Sequence, residues 1–161
     1  MGHRANFVVI RDGRASAYYD QWAALGCIGF FSAGPDVAAE EASQLERTDG
    51  LMNWSYAEGG YLIDFDTKEA IVFGLTIDPE EFADPDGEVD VQLLEASAPF
   101  AEGGLAYLKH IAPSWAGWKL AWDERGVDAF AAHLRKRAIA GVGVEPDSHP
   151  PNTSPAIEYH A

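Results

Sequence analysis

Phe7-Val8-Val9-Ile10-Arg11-Asp12-Gly13-Arg14-Ala15-Ser16-Ala17-Tyr18-Tyr19 reads as a β-hairpin. Four apolar residues, three of them β-branched, lead in. Asp12-Gly13 then supplies the dipeptide that accepts positive φ at both centres of a two-residue turn, and Ala15 to Tyr19 returns. Residues 61–73 repeat the design, with Tyr61-Leu62-Ile63 leading in, Asp64 to Lys68 forming the tip and Ala70-Ile71-Val72-Phe73 coming back. A shift of 54 sets Phe7 on Tyr61, Val8 on Leu62, Val9 on Ile63, Asp12 on Asp66, Arg14 on Lys68 and Tyr19 on Phe73. Either the unit is duplicated, or two hairpins obey the same turn chemistry.

Working outward, Gly34-Pro35 and the acidic residues Asp36 and Glu40 open a helix that the pattern extends to about Arg47, with Gly50 after the stop. A second helix is predicted from Pro99 to Ile111, where Phe100, Leu105, Leu108 and Ile111 fall near helical spacing and Pro113 follows. Trp118, Leu120 and Trp122 alternate as one face of a strand. Gly126 to Arg137 is the third helix, with Val127, Phe130, Ala131 and Leu134 inward and Arg135 to Arg137 at the negative end of its dipole. The order ββ-α-ββ-α-β-α predicts an α+β fold: a mainly antiparallel sheet of two hairpins plus one strand, with about three helices on one face. Residues 1–140 form the expected single domain. Residues 141–161, rich in Pro, Gly, Ser and Asn, are expected to form an irregular tail, loose or docked as an extended arm.

The chain of 161 residues is long enough to bury roughly two thirds of its unfolded surface, and its 47% hydrophobic content supports a core without disulfides or metal. Cys27 is the single cysteine, which excludes an intrachain disulfide and a cysteine zinc cluster. The apolar stretch Phe7 to Ile10 is shorter than a secretory core, and no apolar run approaches the ~20 residues of a membrane span. A cytoplasmic location is the expectation. The formal charge of −15 argues against nucleic acid and against anionic membranes, since both require a basic face.

Leu62-Ile63-Asp64-Phe65-Asp66 ends an apolar run in Asp-x-Asp, the pair that haloacid-dehalogenase-type phosphatases carry at a strand end. This chain departs from that family, because a second strand follows where the family has a helix. Asp and Thr also stabilise turns through side-chain to backbone hydrogen bonds, so the segment reads as a hairpin tip. Asp84-Pro85-Asp86-Gly87-Glu88-Val89-Asp90 resembles part of a calcium loop, yet with Gly87 at the loop glycine the first and twelfth ligand positions hold Phe82 and Leu93. His3, His110, His133, His149 and His160 show no zinc-enzyme spacing, and His110 and His133 sit near helix C-termini, where a cation helps the dipole. Cys27 has apolar neighbours and reads as a small core residue. Gly59-Gly60 and Gly103-Gly104 read as turn and packing devices. No nucleophile elbow, phosphate-cradling loop or dinucleotide fingerprint occurs, and no cofactor or metal is expected.

From Asp78 to Asp90 the chain carries Asp78, Glu80, Glu81, Asp84, Asp86, Glu88 and Asp90 with no Lys or Arg. Such a run is a solvated loop or a recognition loop for a basic partner. Tyr18, Tyr19, Trp22, Trp54, Tyr56 and Tyr61 border the hairpins, where they fill the core or anchor an interface. The opening Met-Gly-His-Arg-Ala-Asn-Phe-Val-Val, with Tyr18 to Trp22 and Glu58 to Asp64, resembles a group of short bacterial proteins of no assigned activity, a likeness that covers the first half and implies a bacterial, cytoplasmic origin. The expected function is a non-enzymatic acidic module of immunity or antitoxin type that inhibits a basic protein partner. Its candidate partner-binding residues are Asp20, Trp22, Trp54, Glu58, Glu80, Glu81, Asp84 and Asp86. Two alternatives stand beside it: a small metal-dependent hydrolase using Asp64 and Asp66 with His3 or Asp20, and a small-ligand binder with a groove around Trp22 and Trp54.

Overall fold

Asp12 and Gly13 both take positive φ, 52° and 72°, as a type I′ turn requires. The turn joins β1 (Ala5–Arg11) to β2 (Arg14–Asp20), with Arg11 opposite Arg14 and Phe7 opposite Tyr18. The computed structural model describes residues 4–20, 27–51, 58–74, 103–140, 142–144 and 155–161. Along them follow α1 (Cys27–Ser32), α2 (Pro35–Ser43), β3 (Glu46–Thr48), β4 (Gly50–Leu51), β5 (Gly59–Asp64) and β6 (Glu69–Phe73). Next come α3 (Gly104–Ile111), a 3-10 turn (Ala112–Trp115), β7 (Lys119–Trp122), α4 (Val127–Lys136), β8 (Gly143–Val144) and β9 (Ile157–His160). Seven strands form one sheet in the order β3-β2-β1-β5-β6-β7-β9, while β4 and β8 pair apart from it. None of the described helices is long and apolar enough to cross a membrane.

The fold is α+β, and its sheet is mixed where a mainly antiparallel one was expected. β1 runs parallel to β5 and β6 parallel to β7, among four antiparallel pairings. Four helices are described, and they cover both faces. Phe7, Val9, Tyr61, Ile63, Val72 and Leu120 pack in one core with residues of α1, α2 and α3. Val8, Ile10, Leu62 and Phe73 pack on the other face with Val127, Phe130 and Leu134 of α4. The signal was the unbroken apolar character of Phe7–Ile10 and Tyr61–Ile63, which marks strands buried on both sides, as parallel neighbours usually are.

The parallel ladder pairs Phe7 with Tyr61, Val8 with Leu62 and Val9 with Ile63, the same pairs that the shift of 54 aligned. Their partner strands diverge, β2 lying to one side of β1 and β6 to the other side of β5. A translation that carries β1 onto β5 with faces and direction kept would put β2 on β1. The two hairpins therefore cannot be superposed as copies in this register, and their turns differ too, with two residues between Arg11 and Arg14 and four between Asp64 and Glu69.

Helix α2 stops at Ser43, short of the expected Arg47. Gln44 N–H and Leu45 N–H bond three residues back, to Glu41 O at 3.3 Å and Ala42 O at 3.0 Å, which tightens the last turn. Arg47 then pairs with Tyr18 in β3. Of the second expected helix, 104–111 is helical and 99–102 lies outside the described residues. The strand and third helix agree with expectation within a residue or two. Within the stretch read as an irregular tail, β9 pairs antiparallel with β7 along the sheet edge, and Tyr159 packs on the core. Four residues are too few to show a period, so this strand had no local signal.

Helix α1, absent from the expected order, is held by donors from elsewhere. Tyr107 Oη donates to Ile28 O at 2.8 Å, and Trp115 Nε1 donates to Phe31 O at 2.8 Å. These bonds tie the six-residue helix to α3 and to the 3-10 turn, and the Phe31 carbonyl also accepts Gly34 N–H at 3.3 Å. Tyr61, Trp115, Trp118 and Trp122 are core residues, whereas Tyr18 and Tyr19 are half-buried.

Candidate functional site

One end of the sheet gathers the chain's connections. Ala5 pairs with Asp20 on one side and Gly59 on the other, and Glu58 N–H donates to Arg4 O at 2.8 Å. Gly60 pairs with Phe73, so Gly74 leaves from the same end. Cys27 belongs there too, since its Sγ lies 4.0 Å from Phe73 O. So does Gly104, packed against Trp122, which pairs with Val72. Of the expected partner-binding residues, the fold thus brings together Asp20, half-buried, and Glu58, exposed. Trp22, Trp54, Glu80, Glu81, Asp84 and Asp86 lie outside the described residues, as do His3 and the calcium-like stretch 84–90. The segments that carry them, 21–26, 52–57 and 75–102, are joined to the framework at Asp20 and Cys27, at Leu51 and Glu58, and at Gly74 and Gly103; of these junctions Leu51 pairs with Val144 apart from the main sheet.

Charge divides between these parts. The described residues hold eleven Lys and Arg against fifteen Asp and Glu, a net of −4. The remaining residues hold eleven Asp and Glu and no Lys or Arg, and nine of those acids fall in 75–102. At the same end Arg125 grips the buried Asp123 as a fork, Nη2 to Oδ2 at 2.7 Å and Nε to Oδ1 at 3.0 Å.

The opposite end holds the Asp-x-Asp pair. Asp64 has no solvent exposure. Its Oδ1 accepts the N–H groups of Asp66 at 3.0 Å and Thr67 at 3.2 Å, which makes the segment a turn. Its Oδ2 accepts His133 Nε2–H at 2.8 Å and Arg137 Nε–H at 2.8 Å. Four donors fill the acceptor capacity of one carboxylate. Burial alone would raise the Asp64 carboxyl, but the hydrogen bonds from His133, Arg137 and Thr67 outweigh it and hold the group below its ordinary value. The bond to Asp64, and then the charges of Asp64, Asp66 and Glu69, raise the Arg137 guanidinium despite the opposing cost of burial.

Asp66 reaches across to the other hairpin. Its carboxylate accepts the N–H groups of Asp12 and Gly13, each at 2.8 Å, and Arg137 Nη2 at 2.9 Å. Both turns are thereby tied to the C-terminal turn of α4. Chemically, this network orients side chains and neutralises a buried charge. His133 and Arg137 were the residues that sequence reading missed, having been assigned to the helix dipole. Their i, i+4 spacing puts them on one helix face, and the remaining cue was an aspartate closing an apolar run, which needs a partner if buried.

Cys27 is fully buried, and desolvation pushes its thiol up to about 12. Among the described residues no group of three or more His, Cys, Asp or Glu is placed to hold a metal ion. Comparison of the chain with models of known families, with curated proteins and with solved structures finds no match.

Proposed function

We propose that this chain is a non-enzymatic acidic binding module of immunity or antitoxin type, which inhibits a basic partner protein through the end of the sheet bearing Asp20 and Glu58. The observation that carries the reading is the division of charge. A framework of net −4 carries three segments of net −9 that also contain Trp22 and Trp54, and the junctions Asp20, Glu58, Gly74 and Gly103 lie at one end of the sheet. Acidity acquired only for solubility has no reason to be segregated in this way. Acidic groups steer a basic partner and set its orientation, while Trp anchors supply most of the affinity. The four donors that fill Asp64 and the three that Asp66 accepts support the same reading, because the hydrolase alternative needs those oxygens for a cation or a proton.

The test is capture from host lysate followed by kinetics with the purified partner. The full chain is expected to retain a basic protein at low salt. The variant with Glu80, Glu81, Asp84 and Asp86 changed to their amides should associate more slowly with that protein and show weaker salt dependence. Unchanged association kinetics would remove the acidic segment from the interface, and an acidic or uncharged partner would overturn the reading.

A further inference from the structure

The geometry points to a second site, a cleft between the first hairpin and α2 that takes a small zwitterion, a free amino acid or a short peptide with both termini charged. The cleft has a volume of about 520 Å³, within the range of small-molecule sites. Its floor carries Val9 and Ala39, both largely buried, with Tyr18, Ser16 and Ser43 beside them. One wall carries Arg11 and Arg14, and the other carries Asp36 and Glu40 of α2.

Each wall sets like charges side by side. Arg11 and Arg14 are direct cross-strand partners at the end of the hairpin, an arrangement that disfavours the sheet. Asp36 and Glu40 stand four apart on one helix face, which disfavours the helix. The helix dipole favours Asp36 in the first turn, but Glu40 lies beyond its reach. Opposite walls would neutralise each other if they met. Among the described residues, however, Arg14, Asp36 and Glu40 form no ion pair. Arg11 is instead positioned over the Phe65 ring, its guanidinium carbon 4.0 Å from the centroid. The fold thus leaves two oppositely charged, solvent-exposed walls facing each other across the cleft.

The wall chemistry selects the ligand class. A simple anion suits the arginines and is repelled by Asp36 and Glu40, and a simple cation meets the reverse. A molecule with a carboxylate at one end and an ammonium at the other satisfies both walls. Paired guanidinium groups favour carboxylate, and an aliphatic body covers Val9 and Ala39. This site lies apart from the end bearing Asp20 and Glu58, so the two proposals fail independently.

The test titrates the full chain, observed through its backbone amide NMR signals, with an unblocked alanine series from one to four residues. The same peptides are also supplied N-acetylated and C-amidated. At least one unblocked member should bind saturably with a Kd below about 1 mM, shifting signals of 14–18 and 36–43. Both blocked analogues should bind about tenfold more weakly, as should the variants Arg14→Gln and Glu40→Gln, whose parent residues are exposed. Lys109→Gln, on α3, should leave binding unchanged. The proposal is overturned if no unblocked member saturates, if a blocked analogue binds as tightly, if the shifts fall elsewhere, or if both cleft variants bind like the parent.

Discussion

His133 Nε2 and Asp64 Oδ2 stand 2.8 Å apart, one on a helix and the other at the end of a buried strand. A carboxylate accepts only, so the histidine must carry its proton on Nε2. Arg137 Nε approaches the same oxygen at 2.8 Å. The charge of Asp64 is thus fully paired inside the protein, and the pair ties α4 to the second hairpin beside their apolar contact.

Replacing Asp64 with Asn keeps the shape but removes the charge and sets an amide group among donors. Breaking a buried pair by removing one partner costs about 3 kcal/mol or more. Urea unfolding of Asp64→Asn should show a loss of that size. A loss under about 1 kcal/mol would show that the network does not hold the fold together.

Acid should reverse the same interaction. The folded Asp64 carboxyl lies below its ordinary value of 3.8, so its contribution is fully present above that value and drains as the pH falls through the folded one. Between neutral pH and pH 3, the parent should therefore lose stability more steeply than Asp64→Asn, whose amide does not titrate. Parallel curves for the two proteins would assign the acid loss to other carboxylates.

The hairpins were legible because their signals are local. Asp12-Gly13 specifies its own turn, and Pro35 and Gly126 mark where α2 and α4 begin. What escaped was carried by distant pairs. The β1–β5 ladder joins residues 54 apart, and Asp64 meets His133 and Arg137 across 69 and 73 residues. A single sequence shows that an aspartate follows Leu62-Ile63 but not which cation will reach it. Helix α1 is bonded by Tyr107 and Trp115, 79 and 84 residues from the carbonyls they reach, and its six residues show no period of their own. Of the candidate site, the sequence marked the acids and aromatics; the meeting of Asp20 and Glu58 at one sheet end emerged only from strand order.

Gly60 is the glycine on which the central ladder rests. Its φ is +152°, and a Cβ there would stand 1.9 Å from the carbonyl oxygen of Asn6 on the paired strand. That neighbour is backbone and cannot move aside without opening the β1–β5 ladder. Gly60→Ala should cost more than about 3 kcal/mol or yield no folded protein. At Gly13, φ is +72° but the space is open, so Gly13→Ala should cost only about 1 kcal/mol of backbone strain. Equal losses at the two sites, measured by urea unfolding, would place the close approach elsewhere.

Cys27 makes an internal reporter of the end bearing Asp20 and Glu58, because the chain has no other thiol. It is fully buried against Phe73 O, and its thiol is pushed up to about 12. Little thiolate exists at pH 8, and reagent cannot reach the sulfur until α1 lifts away from the sheet. Labelling with a thiol-reactive dye should therefore be negligible in native buffer and rise with the urea transition. A partner that covers this end stabilises the closed state by mass action and should slow labelling at intermediate urea. Stoichiometric labelling within minutes in native buffer would mean that α1 opens freely, and the bonds from Tyr107 and Trp115 would not be what holds it.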